Sequence, residues 1–220
     1  MGSSQWTAER QELLNAAHEM CQDGLVLGSS GNVSLRIRDN ERELIAITAS
    51  SIPYASMELD HIVVIDHDGE PIVGDYIPSS ELFMHSAIYR ARDDVKSIMH
   101  THSVFASALA VSGMKIPAIL DEMVIAMGDE VAVTEYAHPS SEELGIEVVK
   151  ALDERSAVLI KNHGFLGVGK TPNEALNICK LGEHVSKILF YSHMLGKVDK
   201  IPESIVNAEL EIFRMRKLSG

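Results

Sequence analysis

The sequence predicts a mixed α/β fold, in which helices and strands alternate along the chain. Stretches with the three-to-four-residue apolar spacing of a helix are followed by short stretches that alternate as strands do. The chain has 220 residues, a length at which we expect a single domain over residues 1–220 with a full apolar core. We find no internal repeat, low-complexity tract or linker-like segment.

The first part of the chain predicts one helix followed by strands. Thr7 is a suitable N-cap for a helix that continues to about Gln22, and Gly24 is suited to end it. Alternating apolar and polar residues then predict two pairs of strands, with turns at Asp39-Asn40 and at residues 66–69. These strands are expected at 33–37, 44–48, 61–65 and 71–73.

The rest of the chain alternates helices with extended segments. Capping boxes from Ser140 to Glu143 and from Thr171 to Glu174 begin two of the helices, and Pro202 opens the last one. The predicted helices span 79–91, 106–111, 141–152, 172–195 and 202–217. The predicted extended segments span 95–101, 116–119, 157–161 and 165–168, of which the last two form a hairpin around residues 162–164.

Three histidines have the spacing of a metal site. His100 and His102 occupy alternate positions at the end of a predicted strand, so their side chains point to one face. His163 lies far along the chain in a Gly-flanked turn, and three imidazoles would leave one position of a tetrahedral Zn²⁺ open for chemistry. Imidazole also binds other divalent transition metals. The competing interpretation is that all three are ordinary polar residues.

Glu81 is the candidate acid–base residue. A carboxylate near a metal-bound carbonyl can take a proton from the adjacent carbon. Acidic residues are also common in first helical turns simply because they complement the helix dipole. His85 lies four residues later on the same helix face, where it either orients the Glu81 carboxylate or the metal shell, or packs in the core.

Short polar side chains that can donate hydrogen bonds suggest a phosphate site elsewhere in the sequence. Ser79 and Ser80 stand at a predicted helix N-terminus, where free N–H groups favour phosphate. The glycine-rich turn that ends at Asn32 and the Ser50-Ser51 pair add further donors. None of these segments is a Walker-type loop.

Composition narrows the class of partner. The net charge of −13 argues against nucleic acid, because phosphate backbones are bound by clustered Lys and Arg. Cys21 and Cys179 are the two cysteines, so we expect no disulfide framework and a reducing compartment. The sequence shows no signal-peptide-like apolar segment and no apolar run approaching the ~20 residues that span a bilayer. We therefore expect a cytoplasmic protein without a membrane partner.

Taken in order, these segments resemble the class II aldolase/adducin family, and within it the fuculose-phosphate aldolases. The resemblance covers residues 9–198. It implies a central, mainly antiparallel sheet flanked by helices on both sides, and a homotetramer with active sites at subunit interfaces. It rests on Ser30-Gly31-Asn32-Val33-Ser34, residues 47–54, Pro78-Ser79-Ser80-Glu81, His100-Thr101-His102 and Asn162-His163-Gly164.

The resemblance also implies a reaction and the residues that perform it. A ketose 1-phosphate would be cleaved reversibly, through a metal-stabilised enediolate, to dihydroxyacetone phosphate and an aldehyde. Glu81 would be the catalytic acid/base, and Zn²⁺ would be held by His100, His102 and His163. The phosphate-binding positions would be Asn32, Ser50, Ser51, Ser79 and Ser80.

Two tyrosines of the fuculose-phosphate aldolases are missing. One follows the Ile-Pro-Ala-Ile segment, where this chain has Leu120-Asp121-Glu122-Met123, and the other lies near the C-terminus. We therefore hypothesise a 5-deoxy or 5-thio pentulose 1-phosphate rather than fuculose phosphate as substrate. Asp121 or Glu122 could replace a tyrosine as proton carrier, and plain surface charge explains them equally well.

Other members of the family leave alternatives. A sugar-acid-phosphate decarboxylase and a methylthioribulose-1-phosphate dehydratase also need a metal-stabilised enolate and a nearby carboxylate. A more remote alternative is a non-catalytic, adducin-like interaction domain. The presence of all three histidines together with Glu81 argues against that last interpretation.

Overall fold

The structure, a computed structural model, describes residues 5–39, 42–66 and 68–218. Within these residues it contains nine strands and seven α-helices. The strands are β1 (Asn32–Asp39), β2 (Arg42–Thr48), β3 (Ile62–Ile65), β4 (Pro71–Val73), β5 (Ser97–Thr101), β6 (Ile116–Pro117), β7 (Glu130–Val133), β8 (Ala157–Ile160) and β9 (Gly164–Gly169). The helices are α1 (Thr7–Gln22), α2 (Leu82–Ala91), α3 (Val104–Ser112), α4 (Asp121–Met127), α5 (Glu142–Leu152), α6 (Pro172–Met194) and α7 (Glu203–Leu218).

All of these strands join one sheet in the order β4-β3-β2-β1-β5-β9-β8-β7-β6. Neighbouring strands are antiparallel except β7 and β8, which pair in parallel. The predicted mainly antiparallel sheet is therefore confirmed. Asn40 and His67, which belong to two predicted turns, lie outside the described residues. Of the helices described, none has the length and apolar character needed to cross a membrane.

Helices cover both faces of the sheet, as predicted. Successive strand residues point to opposite faces, and two separate apolar clusters result. Helices α1, α3, α4 and α6 pack on one face, where the strands contribute residues such as Val33 and Leu159. Helices α2 and α5 pack on the other face against residues such as Ile47 and Ile98.

Four predicted helix starts are wrong in detail, one of them that of α3, which begins at Val104 rather than at Ala106. Thr7 is the first helical residue of α1 rather than its cap, because Trp6 takes the cap position in a left-handed conformation with φ +52°. Ser141 rather than Ser140 caps α5, and its hydroxyl accepts a hydrogen bond from the Leu144 N–H. Glu81 precedes the first residue of α2 instead of lying within its first turn. The predicted Thr171 cap is confirmed.

Helix α4 and strand β7 were not predicted. Both are short, at seven and four residues, so their apolar patterns are too brief to distinguish helix from strand. Their burial comes from tertiary packing, with Met123, Met127 and Val131 fully inside the core. Only β6 falls within the extended segment expected at 116–119.

Candidate metal and acid–base centre

Neighbouring strands bring the three predicted histidines together. His100 lies on β5, where it pairs with Asn32 of β1, and His102 follows the end of the strand. His163 lies in the tight turn that precedes β9 on the other side of β5. The Nε2 atom of His100 is 2.9 Å from Nε2 of His102 and 3.3 Å from Nε2 of His163. The potential ligand atoms of the three residues all lie within 4.8 Å of one another.

The Glu81 carboxylate closes the other side of this cluster. Glu81 is 6% exposed at the N-cap position of α2. Its Oε2 atom is 3.3 Å from Nε2 of His100, and its Oε1 atom is 3.3 Å from Nε2 of His163. The predicted acid–base residue and the imidazoles therefore face one point.

The protonation states of His100 and His102 favour metal binding. The Nδ1–H of His100 donates to the Phe165 carbonyl at 3.0 Å, which leaves the Nε2 lone pair facing the cluster. Burial, with smaller contributions from His163 and His102, holds the pKa of His100 well below its ordinary value. Burial also lowers the pKa of His102. Both rings are thus favoured in the neutral form that a metal requires.

These distances fit a divalent transition-metal ion. Imidazole nitrogens about 2.0–2.1 Å from a tetrahedral ion lie roughly 3.3 Å apart, close to the 2.9 and 3.3 Å separations from His100. Without a cation, the unprotonated Nε2 of His100 and Oε2 of Glu81, 3.3 Å apart, would present lone pairs to each other. Three imidazoles are a suitable donor set for Zn²⁺ and for its neighbours in the transition series.

Gly164 allows the imidazoles to approach this closely, which leads to a testable prediction. A Cβ atom at this position would lie 3.1 Å from both the His100 and His102 rings and would collide with the Thr101 carbonyl oxygen. We expect Gly164→Ala to lower metal affinity about tenfold or more, because the ligands must move apart. Metal titration of the folded variant measures this effect, and unchanged affinity would contradict it.

The predicted phosphate-binding serines lie on two segments that run side by side. The Ser50 N–H donates to the Ile77 carbonyl at 2.8 Å, and the Ser79 N–H donates to the Thr48 carbonyl at 3.1 Å. The hydroxyls of Ser50 and Ser51 are 3.4 Å apart, and Ser51 and Ser80 are exposed. The fold therefore groups these serines beside the start of α2.

Asn32 lies against the acid–base residue. Its Nδ2 donates to Oε2 of Glu81 at 2.8 Å. An amide nitrogen carries two hydrogens, so one remains for another acceptor. Gly31 makes this placement feasible, because with φ +78° its missing Cβ would fall 2.5 Å from the His100 carbonyl oxygen.

Asp121 and Glu122 are not part of this cluster within one chain. Both are exposed in the first turn of α4. Asp121 interacts with Glu209 of α7, where burial and this neighbouring carboxyl raise the pKa of Glu209. In the described residues, neither side chain contacts Glu81 or the histidine cluster.

Sequence reasoning missed three polar residues behind the centre. Ser34 and Tyr89 continue the hydrogen bonds of Asn32 and His85 into the core, and Tyr54 donates to the Gly31 carbonyl at 2.7 Å. A signal for Tyr89 was present, since it lies eight residues after Glu81 on the same helix face. The signal for Ser34 was its alternation with Asn32 on β1.

Comparison with known proteins places this geometry in context. The family described as Class II Aldolase and Adducin N-terminal domain matches residues 11–190. The chain is 31% identical over 195 residues to 5-deoxy-D-ribulose 1-phosphate aldolase of Bacillus thuringiensis serovar kurstaki, covering 89% of this chain and 90% of that protein.

Two further relatives have similar names. The chain is 35% identical over 166 residues to 5-methylthioribulose-1-phosphate/5-deoxyribulose-1-phosphate aldolase of Escherichia coli O45:K1, covering 76% of each protein. A solved structure of L-fuculose 1-phosphate aldolase superimposes with a TM-score of 0.88 at 33% identity, covering 94% of this chain and 96% of that one.

Proposed function

The chain belongs to the class II aldolase and adducin family, and we propose that it is a metal-dependent aldolase that cleaves a ketose 1-phosphate. Its products would be dihydroxyacetone phosphate and an aldehyde. The observation that carries the proposal is the Glu81 carboxylate, 3.3 Å from two of three converging imidazoles. A non-catalytic interaction domain would have no need of this combination.

The metal would be held by His100, His102 and His163, with zinc the first candidate. A bound divalent cation would supply a Lewis acid for the substrate oxygens, where negative charge develops as the C3–C4 bond breaks. The chain orients the ligands itself, since the Phe165 carbonyl fixes the His100 ring. The Glu81 carboxylate also lies close enough to the histidines to approach the metal when substrate is absent.

Glu81 would transfer the proton to and from C3 of the substrate. When the C3–C4 bond of the substrate breaks, the C4 hydroxyl passes its proton to a second proton carrier, for which Asp121 and Glu122 are the candidates, and becomes the carbonyl of the aldehyde. The electron pair stays with the other fragment as an enediolate. Glu81 then protonates C3 to give dihydroxyacetone phosphate, and in the synthetic direction its carboxylate removes the same proton.

The phosphate would bind at the two serine-bearing segments beside α2. Ser50, Ser51, Ser79 and Ser80 offer short donors there, and the N-terminus of α2 favours an anion. The second hydrogen of Asn32 Nδ2 could point to the same anion while the first stays on Glu81. Such a local site is compatible with a net charge of −13, since the donors are dipoles.

The part of the substrate that becomes the aldehyde is proposed to be small and weakly polar. The named activities of two relatives, on 5-deoxyribulose and 5-methylthioribulose 1-phosphates, support a 5-deoxy or 5-thio pentulose 1-phosphate. The segment Leu120-Asp121-Glu122-Met123, where the fuculose-phosphate aldolases have a tyrosine, also favours a substrate that differs from fuculose phosphate at this end. Asp121 and Glu122 remain candidates for the second proton carrier, from the exposed start of α4.

We further propose that the protein is a homotetramer with its sites at subunit interfaces. Large apolar side chains are exposed in the single chain: Leu27 at 87%, Val104, two residues after His102, at 72%, and Val111 at 59%. Large exposed apolar side chains of this kind support an interface with a neighbouring subunit. A neighbouring subunit would cover these residues and bring further groups to the aldehyde side.

Product analysis tests the proposed reaction. The purified protein is incubated with 5-deoxyribulose 1-phosphate, 5-methylthioribulose 1-phosphate and fuculose 1-phosphate, with and without a chelator. We expect dihydroxyacetone phosphate and an aldehyde from a 5-deoxy or 5-thio substrate, and loss of turnover with chelator that added metal restores. Release of CO₂ in a parallel incubation with a sugar-acid phosphate would instead indicate the decarboxylase, and water loss from methylthioribulose 1-phosphate would indicate the dehydratase.

A further inference from the structure

A buried chain of hydrogen bonds leads from the core to the Glu81 carboxylate. Tyr89 Oη lies 2.7 Å from Ser34 Oγ, which lies 2.6 Å from Nδ1 of His85. Nε2 of His85 then lies 2.5 Å from Oδ1 of Asn32, whose Nδ2 donates to Glu81 at 2.8 Å. All of these side chains are buried, and His85 is fully inaccessible to solvent.

The direction of each hydrogen bond follows from its acceptor. Oδ1 of Asn32 has no hydrogen, so Nε2 of His85 must be the donor. A neutral imidazole has one N–H, so Nδ1 of His85 must accept from the Ser34 hydroxyl. Because the Ser34 hydrogen is directed to His85, the Ser34 oxygen accepts from Tyr89 at 2.7 Å, a shorter contact than the 3.3 Å from the same phenol to the Lys96 carbonyl. Every hydrogen in this series of hydrogen bonds therefore points toward Glu81. Only the His85 tautomer with its proton on Nε2 is compatible with it.

The environment keeps His85 and Tyr89 in the protonation states that this series of hydrogen bonds requires. Burial lowers the pKa of His85 to about 4, although the nearby Glu81 charge opposes this. Burial also raises the pKa of Tyr89 well above its ordinary value. The imidazole thus stays neutral and the phenol stays protonated across the physiological range.

We propose that His85 is a positioning residue, which fixes the Asn32 carboxamide so that its N–H side faces the Glu81 carboxylate. With His85 absent, the amide can turn over and present Oδ1 to the negative charge, which would push the carboxylate from its place between His100 and His163. His85 thus acts on proton transfer through Asn32 and Glu81 without touching substrate. Its effect on turnover rests on the proposed aldolase function, but the hydrogen-bond direction does not.

The first test reads the tautomer directly and needs no activity. Nitrogen-15 NMR of the metal-loaded protein distinguishes a proton on Nε2 from one on Nδ1 of His85, with the assignment made from a His85→Gln sample. We expect a neutral ring with its proton on Nε2 throughout pH 6–8. A proton on Nδ1, or a doubly protonated ring, would overturn the proposal.

The second test uses two amide substitutions that differ in reach. The Gln side chain places its N–H close to the former Nε2 and can still donate to Asn32. The shorter Asn places its amide close to the former Nδ1, where it meets Ser34 but not Asn32. Both variants are polar and both disturb the core, so their difference reports the Asn32 contact. Metal content and circular dichroism show whether each variant has folded.

The readout is deuterium incorporation at C3 of dihydroxyacetone phosphate in D₂O, which needs the base but no aldehyde. We expect His85→Asn to slow the exchange about 10- to 100-fold at unchanged metal content, with KM little altered. His85→Gln should lose substantially less. Equal losses in the two variants, or none in either, would overturn the positioning role. If the wild-type protein itself shows no exchange, the aldolase proposal fails, and the NMR result alone decides the role of His85.

Discussion

Glu81→Gln is expected to lower the turnover number for aldol cleavage about 1,000-fold while leaving the metal in place. The amide keeps the size and most hydrogen bonds of the carboxylate, but it cannot accept or return a proton at carbon. General acid–base groups contribute about 10²- to 10⁴-fold to rate. Deuterium exchange at C3 of dihydroxyacetone phosphate should fall by a similar factor.

A matched variant controls for the loss of one negative charge. Glu12→Gln removes an exposed carboxylate of α1, and we expect it to retain wild-type turnover. A loss of turnover can be assigned to the missing proton carrier only if the Glu81→Gln protein still binds metal with near-normal stoichiometry. Turnover within about threefold of wild type would exclude Glu81 as the principal proton carrier, since that is far below the usual contribution of such a group.

His163→Ala should remove metal binding and activity together. His163 supplies one of three converging nitrogens and is only partly buried, so its loss should leave the core intact, unlike that of the fully buried His100. We expect metal affinity to fall by more than about 100-fold, beyond the effect of changing a residue that only supports a ligand. Metal titration measures affinity, and the same samples report turnover.

His193→Ala is the matched control for this substitution. His193 is exposed near the end of α6, so its removal should change neither metal content nor turnover. If His163→Ala bound metal as tightly as the wild-type protein, the ion would have to be held elsewhere. The imidazole cluster would then have another role.

The convergence of the three histidines was predicted partly from local spacing and partly from the family resemblance. His100 lies on β5 and His102 continues the alternation just past its end, while His163 occupies the hairpin turn before the neighbouring strand β9. The same local patterns predicted most helices and strands. The mainly antiparallel sheet with helices on both faces came from the family resemblance, since strand order depends on contacts that periodicity does not encode.

Other features depended on tertiary contacts and could not be read from sequence patterns. The contact between Asn32 and Glu81 arises because α2 packs across β1, and no spacing along the chain reports it. The caps of α1 and α5 shifted because Trp6 and Ser140 adopt left-handed conformations with φ of +52° and +67°. Helix α4 and strand β7 were too short for their apolar patterns to distinguish helix from strand, although Met123, Val124, Met127 and Val131 are buried.

Anomalous X-ray diffraction from the metal-loaded protein tests the central claim most directly. We predict one strong anomalous peak per chain, about 2.0–2.1 Å from Nε2 of His100, His102 and His163, as expected for a zinc-like ion on imidazole. The Glu81 carboxylate should lie on the open side of that peak. A peak elsewhere, or none at full metal loading with the three rings hydrogen-bonded to one another, would contradict the account.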